Sequence, residues 1–381
     1  MSAARFLIIF LGSVIVCTSR ADPPVLRDMV VAWPRYHFTL DGDLNASYVI
    51  ESSTNLVNWQ AVDTNSYPGT TRTIWFEEFF AWKRKQFFRA WRLPQPVFRH
   101  AIAGLTKLDF NNNGPTVDSF DSGDPAFSTD GRYDPAKNKD GGDVATFSNL
   151  FYSLDIGNAK VMGHVAPGEA LVLGPNGSIG SKAWVEANTG IEPGWVTDDT
   201  GLNGYWVVAP FTNAPAPLSG TIDGVTYAYV LESGSYLLPS LSVSSSDRMR
   251  VTGHSVLCVQ NNILISSGGL EIDEQASLKL YAGGDSTHIT GGGVVNKSGK
   301  AVSFQYYGLP RNLSLWVYNE PTITNRSLIG TICAPDAHLE MNPYGNDSFH
   351  FSGAIVIKNA RIFNSCHLHF DESLLRGGPW R

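Results

Sequence analysis

The sequence predicts an all-β protein whose main part is a parallel β-helix, and three observations support this fold class. Residues 250–293 contain a series of short segments in which apolar and polar residues alternate: MRVTG, SVLCV, NILIS, GLEID and SLKLY. Each segment ends at a Gly, Asn or Asp turn signal and no helical pattern follows. Glycine is abundant, with 37 of 381 residues, and only 17% of the residues are charged. Short strands joined by tight corners are typical of stacked β-solenoids.

We divide the chain into a signal peptide (1–21), a small β-sandwich module (22–99), a parallel β-helix domain (100–375) and a tail (376–381). The first segment carries Arg5 and then an apolar stretch that is too short to cross a bilayer comfortably. We therefore expect cleavage before Asp22 and an exported protein that is extracellular, at the cell surface or periplasmic. An uncleaved membrane anchor is the alternative; after cleavage we expect no transmembrane span.

The net charge argues against one class of partner. The chain carries a formal charge of −7, and removal of Arg5 and Arg20 with the signal would leave −9. A mildly acidic surface is unsuited to nucleic acid or to an anionic membrane surface.

The module at residues 22–99 has strand-like segments and an aromatic core, for which the candidates are Trp59, Phe76, Phe87, Phe88 and Trp91. The segments YVIESSTNLVNWQAV and QFFRA resemble a small β-sandwich repeat of exported bacterial proteins. The resemblance implies an adhesion or spacing unit without known chemistry. The Pro-containing segment at residues 93–96 predicts a linker to the second domain.

Residues 118–143 are rich in Asp and Gly, and two interpretations of this run remain open. Dense carboxylates can bind Ca²⁺, but the spacing matches neither the EF-hand pattern nor the nonapeptide calcium repeat. The alternative is a solvated loop stabilised by Asx turns.

Residues 182–219 interrupt the alternating pattern and contain Trp184, Trp195 and Trp206. Long excursions from a solenoid are typical positions for binding surfaces, and exposed aromatic rings can stack on sugars. These tryptophans are therefore candidate carbohydrate-binding residues. Packing against the side of the β-helix is the alternative.

The segment HLHFDE places His367, His369 and Asp371 on one face of a predicted strand, which is a geometry that can bind Zn²⁺. The alternative is that these side chains form the polar cap of the last coil.

No residue is predicted to be catalytic. Asp198-Asp199 and Gly253-His254 are pieces that a pectin-cleaving β-helix enzyme could use, but the Asn-Thr-Asp tripeptide of such enzymes is missing. We expect no enzymatic activity and no cofactor.

Three cysteines, Cys258, Cys333 and Cys366, would remain in the mature chain, and none belongs to a CxxC motif. Cys258 and Cys366 alternate with apolar neighbours, which predicts buried side chains that point inward. A disulfide or a reactive thiol is the alternative.

Two blocks, beginning SFDSGDPAFSTDGRYDPAKNKDGGDVAT and FQYYGLPRNLSLWV, resemble an uncharacterised family of exported bacterial proteins with PilX-like annotation. The resemblance implies a right-handed parallel β-helix and no known activity. We expect a secreted or cell-surface protein of structural or adhesion type, with a surface polysaccharide or other surface proteins as possible partners. A carbohydrate-binding or carbohydrate-cleaving β-helix is the alternative.

The alternation also predicts which residues form the interior. In SLKLY, Leu278 and Leu280 should point inward and Lys279 outward, and in NILIS the inward residues should be Ile263 and Ile265.

Overall fold

The computed structural model describes residues 24–32, 35–41, 47–66, 71–76, 87–92, 96–110, 114–148, 150, 152–197, 207–290, 292–318, 327–343, 348–363 and 365–378. The chain divides into two compact units, Met1–Val97 with Trp380–Arg381, and Phe98–Pro379. We call them unit 1 and unit 2. β-Strands are the main secondary structure in the described part of both units.

Unit 1 contains two three-stranded antiparallel sheets in its described part. One sheet has the order β1-β2-β5 and the other β4-β3-β6, where the strands are β1 (Val25–Ala32), β2 (Arg35–Asp41), β3 (Ser47–Ser53), β4 (Gln60–Ser66), β5 (Thr71–Phe76) and β6 (Phe87–Arg92).

Both sheets contribute to one core. Phe38 of the first sheet meets Phe88 of the second edge to face, with ring centroids 4.9 Å apart. Of the predicted aromatic core, Phe87 and Phe88 are buried, whereas Trp59 is partly exposed beneath the Arg89 guanidinium. The side chains of Phe76 and Trp91 lie outside the described part.

Unit 2 begins with a set of strands at residues 98–197, which we call the N-terminal half. The strands are β7 (Ile102–Asp109), β8 (Thr116–Phe120), β9 (Val144–Thr146), β10 (Leu154–Gly157), β11 (Lys160–Met162), β12 (Val165–Ala166), β13 (Leu171–Leu173), β14 (Ser178–Gly180) and β15 (Gly190–Ile191), with helix α1 (Lys182–Ala187) before β15 and a 3₁₀ turn at Pro135–Lys137.

Residues 213–376 form the C-terminal half. Its strands are β16 (Leu218–Ile222), β17 (Val225–Leu231), β18 (Gly234–Leu238), β19 (Leu241–Val243), β20 (Met249–Val251), β21 (His254–Val259), β22 (Ile263–Ile265), β23 (Leu270–Ile272), β24 (Ser277–Ala282), β25 (Ser286–Thr290), β26 (Val294–Asn296), β27 (Phe304–Gly308), β28 (Ser314–Tyr318), β29 (Ser327–Asn342), β30 (Phe349–Ile362) and β31 (Cys366–Asp371). A 3₁₀ turn at Ala301–Ser303 precedes β27, and helix α2 (Leu374–Gly377) follows β31.

The strands of unit 2 pair in parallel, and most pair with the strand three positions further along the chain. Ladder A runs through β18, β21, β24, β27, β29, β30, β7, β9 and β12. Ladder B runs through β19, β22, β25, β28, β29, β30, β7, β10 and β13. Ladder C has one run of β17, β20, β23 and β26, and a second of β29, β30, β31, β8, β11, β14 and β15. The described part of unit 2 is therefore dominated by a large parallel sheet, with β16 added antiparallel to β17.

The order of strands along the ladders differs from their order along the chain. β30 pairs with β7, and β31 pairs with β8, so the last strands of the chain stack on the first strands of unit 2. The ladder order is consequently the C-terminal half followed by the N-terminal half. This finding corrects the expectation that β31 belongs to a terminal coil, because β31 lies between β30 and β8.

The predicted interior residues are buried. Leu278 and Leu280 are fully enclosed, while Lys279 between them is exposed. In β22, Ile263 and Ile265 are buried, and Leu264 is 41% exposed. The face assignment made from alternation is therefore confirmed for both strands.

Close stacking requires glycine where a strand turns from ladder C into ladder A. Gly353 has a φ of +146°, and a Cβ at this position would lie 1.8 Å from the Gly330 carbonyl oxygen of the strand below. Any other residue would push β30 away from β29, since both the backbone conformation and the space exclude a side chain.

The three cysteines of the described residues are buried, and no disulfide joins them. Cys366 shares a face with Leu368, as predicted. For Cys258 the inward prediction is wrong: Leu257 and Val259 stack on Leu280 and Ala282, so Cys258 points to the opposite face of ladder A. That face is also covered, which explains why Cys258 is still only 4% exposed.

The face assignment gives a test of the fold. We expect Leu280→Asp to unfold unit 2, because an unpaired carboxylate in the interior costs several kcal/mol, comparable with the whole stability of a domain. Lys279→Asp is the matched control on the neighbouring position and should change the melting temperature by only a few degrees. Circular dichroism melts compare the two variants. If Lys279→Asp unfolds the domain and Leu280→Asp does not, the strand register is shifted by one residue.

Candidate functional site at the junction of the two halves

The most organised polar cluster of unit 2 lies where β31 pairs with β8. Asp118 on β8 and His369 on β31 are register partners, although 251 residues separate them in sequence. The two side chains are 3% and 2% exposed, and Asp118 Oδ1 lies 2.6 Å from His369 Nδ1. Burying a carboxylate is favourable only when its hydrogen-bonding positions are satisfied. The neighbouring side chains meet this condition.

The other carboxylate oxygen of Asp118 accepts two further hydrogen bonds. The Tyr133 hydroxyl donates to Oδ2 at 2.7 Å, and the Asn138 amide donates to the same atom at 2.8 Å. The Tyr133 ring lies parallel to the His369 ring, with centroids 3.5 Å apart. Burial, followed by the negative charge of Asp118, raises the pKa of Tyr133. Tyr133 therefore remains a hydrogen-bond donor across the physiological pH range.

Tyr133 and Asn138 come from the Asp-rich segment, residues 121–143, which we call the clasp loop. It passes directly over β8, since a Cβ at Gly142 would lie 2.7 Å from the Asp118 Cα. At its tip, Arg132 donates a 2.6 Å hydrogen bond to the Lys297 carbonyl oxygen in the C-terminal half. The clasp loop thus belongs to the N-terminal half by sequence and contacts both halves.

A second group of contacts joins the clasp loop to the end of the chain. The Asp371 carboxylate is fully buried and accepts hydrogen bonds from the Ser122 backbone and hydroxyl at 3.1 and 2.8 Å. Lys139 pairs with Glu372. The Arg376 guanidinium lies 2.6 Å from Asp121, so this residue of the predicted tail is part of α2 and is bound to the loop.

His350 and His367 extend the cluster beyond His369. His350 Nδ1 lies 2.9 Å from His369 Nε2, and the ring centroids of His350 and His367 are 4.9 Å apart. His367 Nδ1 is 2.6 Å from the Thr116 hydroxyl. Burial, and then the neighbouring histidines, lower the pKa of His350 to about 4; burial and His369 likewise lower the pKa of His367. Both rings are therefore neutral at pH 7.

This arrangement can orient the His369 ring, but it does not place a nucleophile beside that ring. An Asp–His pair fixes the imidazole with a proton on Nδ1, which is the orienting half of a general-base arrangement. In this cluster, however, the group facing His369 Nε2 is a nitrogen of His350, where a catalytic arrangement would place a hydroxyl or thiol. The geometry is consistent with a structural clasp.

The predicted metal ligands face different partners. His369 binds Asp118, His367 binds Thr116 and Asp371 binds Ser122. Within the residues that the structure describes, no group of three His, Cys, Asp or Glu side chains is placed to hold a metal ion.

The Asp-rich run is an ordered loop in which different carboxylates have different partners. Asp124 and Asp134 accept hydrogen bonds from backbone amides two residues later, at 2.9 Å each, which is the Asx-turn geometry. Asp118 and Asp121 are buried and paired. The sequence alternatives for this run, calcium site or solvated loop, missed that the loop covers a sheet face.

The predicted sugar-binding tryptophans are placed apart from this cluster. Trp195 is partly exposed, and its ring stacks on His164 with centroids 4.4 Å apart. Trp184 lies on α1, and its indole nitrogen is buried without a hydrogen-bond partner. Trp206, like Asp198-Asp199, lies outside the described residues. His254 is exposed and lies 3.0 Å from the Ser277 hydroxyl.

Sequence reasoning missed Asp118, Tyr133 and His350 as members of one site. The pairing of β31 with β8 brings them together, and no local pattern in the sequence indicates that pairing. The one available signal was the density of polar residues in both segments.

Comparison with known proteins gives a family match for part of the chain. The model of a domain of unknown function, DUF7305, matches residues 213–376, a span that begins before β16 and ends in α2. The match therefore covers the C-terminal half of unit 2. No match was found among curated proteins or among solved structures. In the described part of the chain, no helix is long and apolar enough to cross a membrane.

Asp118 provides the first test of the clasp. We expect Asp118→Asn to destabilise unit 2 by about 2–4 kcal/mol, because the new NH₂ group would face either the His369 ring nitrogen or the donors of Tyr133 and Asn138. Asp130→Asn makes the same chemical change at an exposed position of the loop and should cost less than about 0.5 kcal/mol. Urea denaturation measures both. Equal, small effects would show that the buried pair does not hold the two halves together.

The histidines predict a pH dependence of stability. His350 is neutral when folded, with a pKa lowered to about 4, whereas the unfolded side chain has a pKa of about 6.5. The unfolded chain therefore binds more protons between these values, so stability is greatest above about pH 6.5 and decreases as the pH falls towards 4.

His350→Gln should weaken this dependence, since the substituted side chain does not titrate. Thermal melts at several pH values between 4 and 7.5 measure the slope for both proteins. His254→Gln, at an exposed site, is the control and should behave like the wild type. An unchanged slope in His350→Gln would contradict the assignment.

Proposed function

We propose that this chain is a secreted or cell-surface structural protein of adhesion type, in which unit 2 is a right-handed parallel β-helix and unit 1 is a small β-sandwich module. The observation that carries the proposal is the set of three parallel ladders in unit 2, where strands of the same ladder recur at every third position. Such ladders build a stiff scaffold whose stability is distributed over many nearest-neighbour contacts.

The junction supports the same interpretation. Asp118 and His369 are both buried, are hydrogen-bonded to protein groups and fasten the clasp loop. A catalytic acid or base needs a position open to substrate. The thiols fit a structural role as well, because burial raises the pKa of Cys258 to about 11 and that of Cys366 to about 12. A nucleophilic cysteine instead has a lowered pKa and partial exposure.

Export is inferred from the first 21 residues, whose basic start and apolar core have the pattern of a secretory signal. A structural protein displayed outside the cell needs no cofactor. Its partners would be a surface polysaccharide or other surface proteins. A carbohydrate-cleaving β-helix is the second candidate, and the stacked pair of Trp195 and His164 is the observation that favours it.

The location is tested in bacteria that produce the full chain. We expect a mature N-terminus at Asp22 by mass spectrometry, recovery in the medium or envelope fraction, and loss of surface-exposed protein after protease treatment of intact cells. A cytoplasmic marker protein must survive the same treatment. Recovery of the uncleaved chain in the cytoplasm would overturn the proposal, and release of reducing ends from polysaccharides by the purified protein would favour the second candidate.

A further inference from the structure

The three ladders of unit 2 differ in what covers their outward faces. On ladder A, the outward side chains of Cys258, Cys333 and Val356 are 2–4% exposed. On ladder C, the outward charges are paired, as in Arg250 with Asp273, or lie beneath the clasp loop. On the outward face of ladder B, by contrast, one row of side chains is partly or fully exposed on every strand from β22 to β30.

One row on this face is defined by the strand register. Leu264, His288, Trp316, Glu340 and Arg361 occupy successive strands at the same position, because each is the register partner of the next. Leu264 is 41% exposed, Arg361 is exposed and the other three are partly exposed. The row continues across the junction to Asp109 on β7. We call these six residues the ladder B row.

The first part of the row is an aromatic platform. The rings of His288 and Trp316 are parallel within 8°, with centroids 6.1 Å apart, and Tyr318 approaches His288 edge to face at 6.2 Å. Trp316 is the single tryptophan between residues 213 and 376. Partly exposed aromatic rings give a large apolar contact area with little conformational freedom to lose on binding.

The second part of the row supplies polar groups with balanced charge. Glu340 and Arg361 are neighbours across β29 and β30, and the next residue, Asp109, lies 3.6 Å from Lys107. Arg361 is supported by the Phe363 ring, 4.7 Å from its guanidinium carbon. Together with the neighbouring Lys107, the two acidic groups and Arg361 leave this part of the surface without net charge, which suits a neutral partner with many hydroxyl groups.

We infer that the ladder B row binds an extended, neutral polysaccharide, with sugar rings against His288 and Trp316 and hydroxyl groups hydrogen-bonded to Glu340 and Arg361. The repeat supports this class of ligand. Strands of one ladder lie about 4.8 Å apart, which is close to the length of one sugar unit, so a linear glycan can present equivalent groups to successive strands. The inference rests on the proposed adhesion-type function and names its partner and contact surface.

The ladder B row does not include the tryptophans that the sequence suggests as carbohydrate-binding residues. Trp184 and Trp195 lie in the N-terminal half, near α1 and β15, whereas Trp316 lies on β28. The two locations can be separated by substitution, which gives the experiment its control.

The experiment uses isothermal titration of the full mature chain with cellohexaose and with chitohexaose, two neutral β-linked probes. We expect binding of at least one probe, weakened about tenfold or more by Trp316→Ala, which removes the main ring contact. Arg361→Ala, at an exposed position, should also weaken binding without affecting the fold. Trp195→Ala should bind like the wild type, and circular dichroism melts confirm that every variant is folded.

Two results would overturn the inference. One is the absence of detectable binding of either probe at millimolar concentration, and the other is loss of binding in Trp195→Ala with retention in Trp316→Ala. A protein that is exported and surface-exposed but does not bind these glycans would contradict the inference and leave the proposed function standing. A cytoplasmic protein would contradict the proposed function whatever it binds.

Discussion

The structure of unit 2 depends on the parallel hydrogen-bonded pairing of β30 and β31 with β7 and β8. This pairing joins the last strands of the chain to the first strands of the unit, across about 250 residues, as the Asp118–His369 contact shows. Without it, the N-terminal and C-terminal halves would each have an unpaired strand edge at the same level of the ladders. Exposed edges invite association with other chains, so closing this junction protects both halves.

The side chains at the junction help to keep these strands paired. A ladder alone fixes the backbone but leaves the outward face of β8 and β31 open to solvent. The clasp loop covers this face with Tyr133 and Asn138, which donate hydrogen bonds to Asp118. The start of the loop is bound to Arg376, and its last part is bound to Glu372. Because leaving a buried polar group without its hydrogen-bond partner is costly, the cluster makes the relative position of the two halves specific. Because burial lowers the pKa of His350, the stability of this junction also depends on pH.

The outward rows of ladders B and C follow from the same geometry. A ladder repeats each outward position at a fixed spacing, so a single row of side chains becomes a linear surface. On ladder C the row is used internally, to hold the clasp loop. On ladder B the row of Trp316, Glu340 and Arg361 remains open, and it crosses the junction to Asp109. Closing the junction therefore both stabilises the scaffold and makes the ladder B row continuous.

The sequence by itself determined the all-β class and the inward and outward faces of individual strands. Leu278, Lys279 and Leu280 follow the two-residue period of a strand, so their burial could be predicted from three adjacent letters. Cys258 shows the limit of that reasoning, because alternation indicates which residues share a face but not that both faces are covered.

Only the tertiary structure decided the strand order, in which β31 is inserted beside β8. Parallel pairing between distant segments has no local signature, since any strand of suitable length and pattern could occupy the place. The partners of Asp118, and with them the site, were fixed by that pairing.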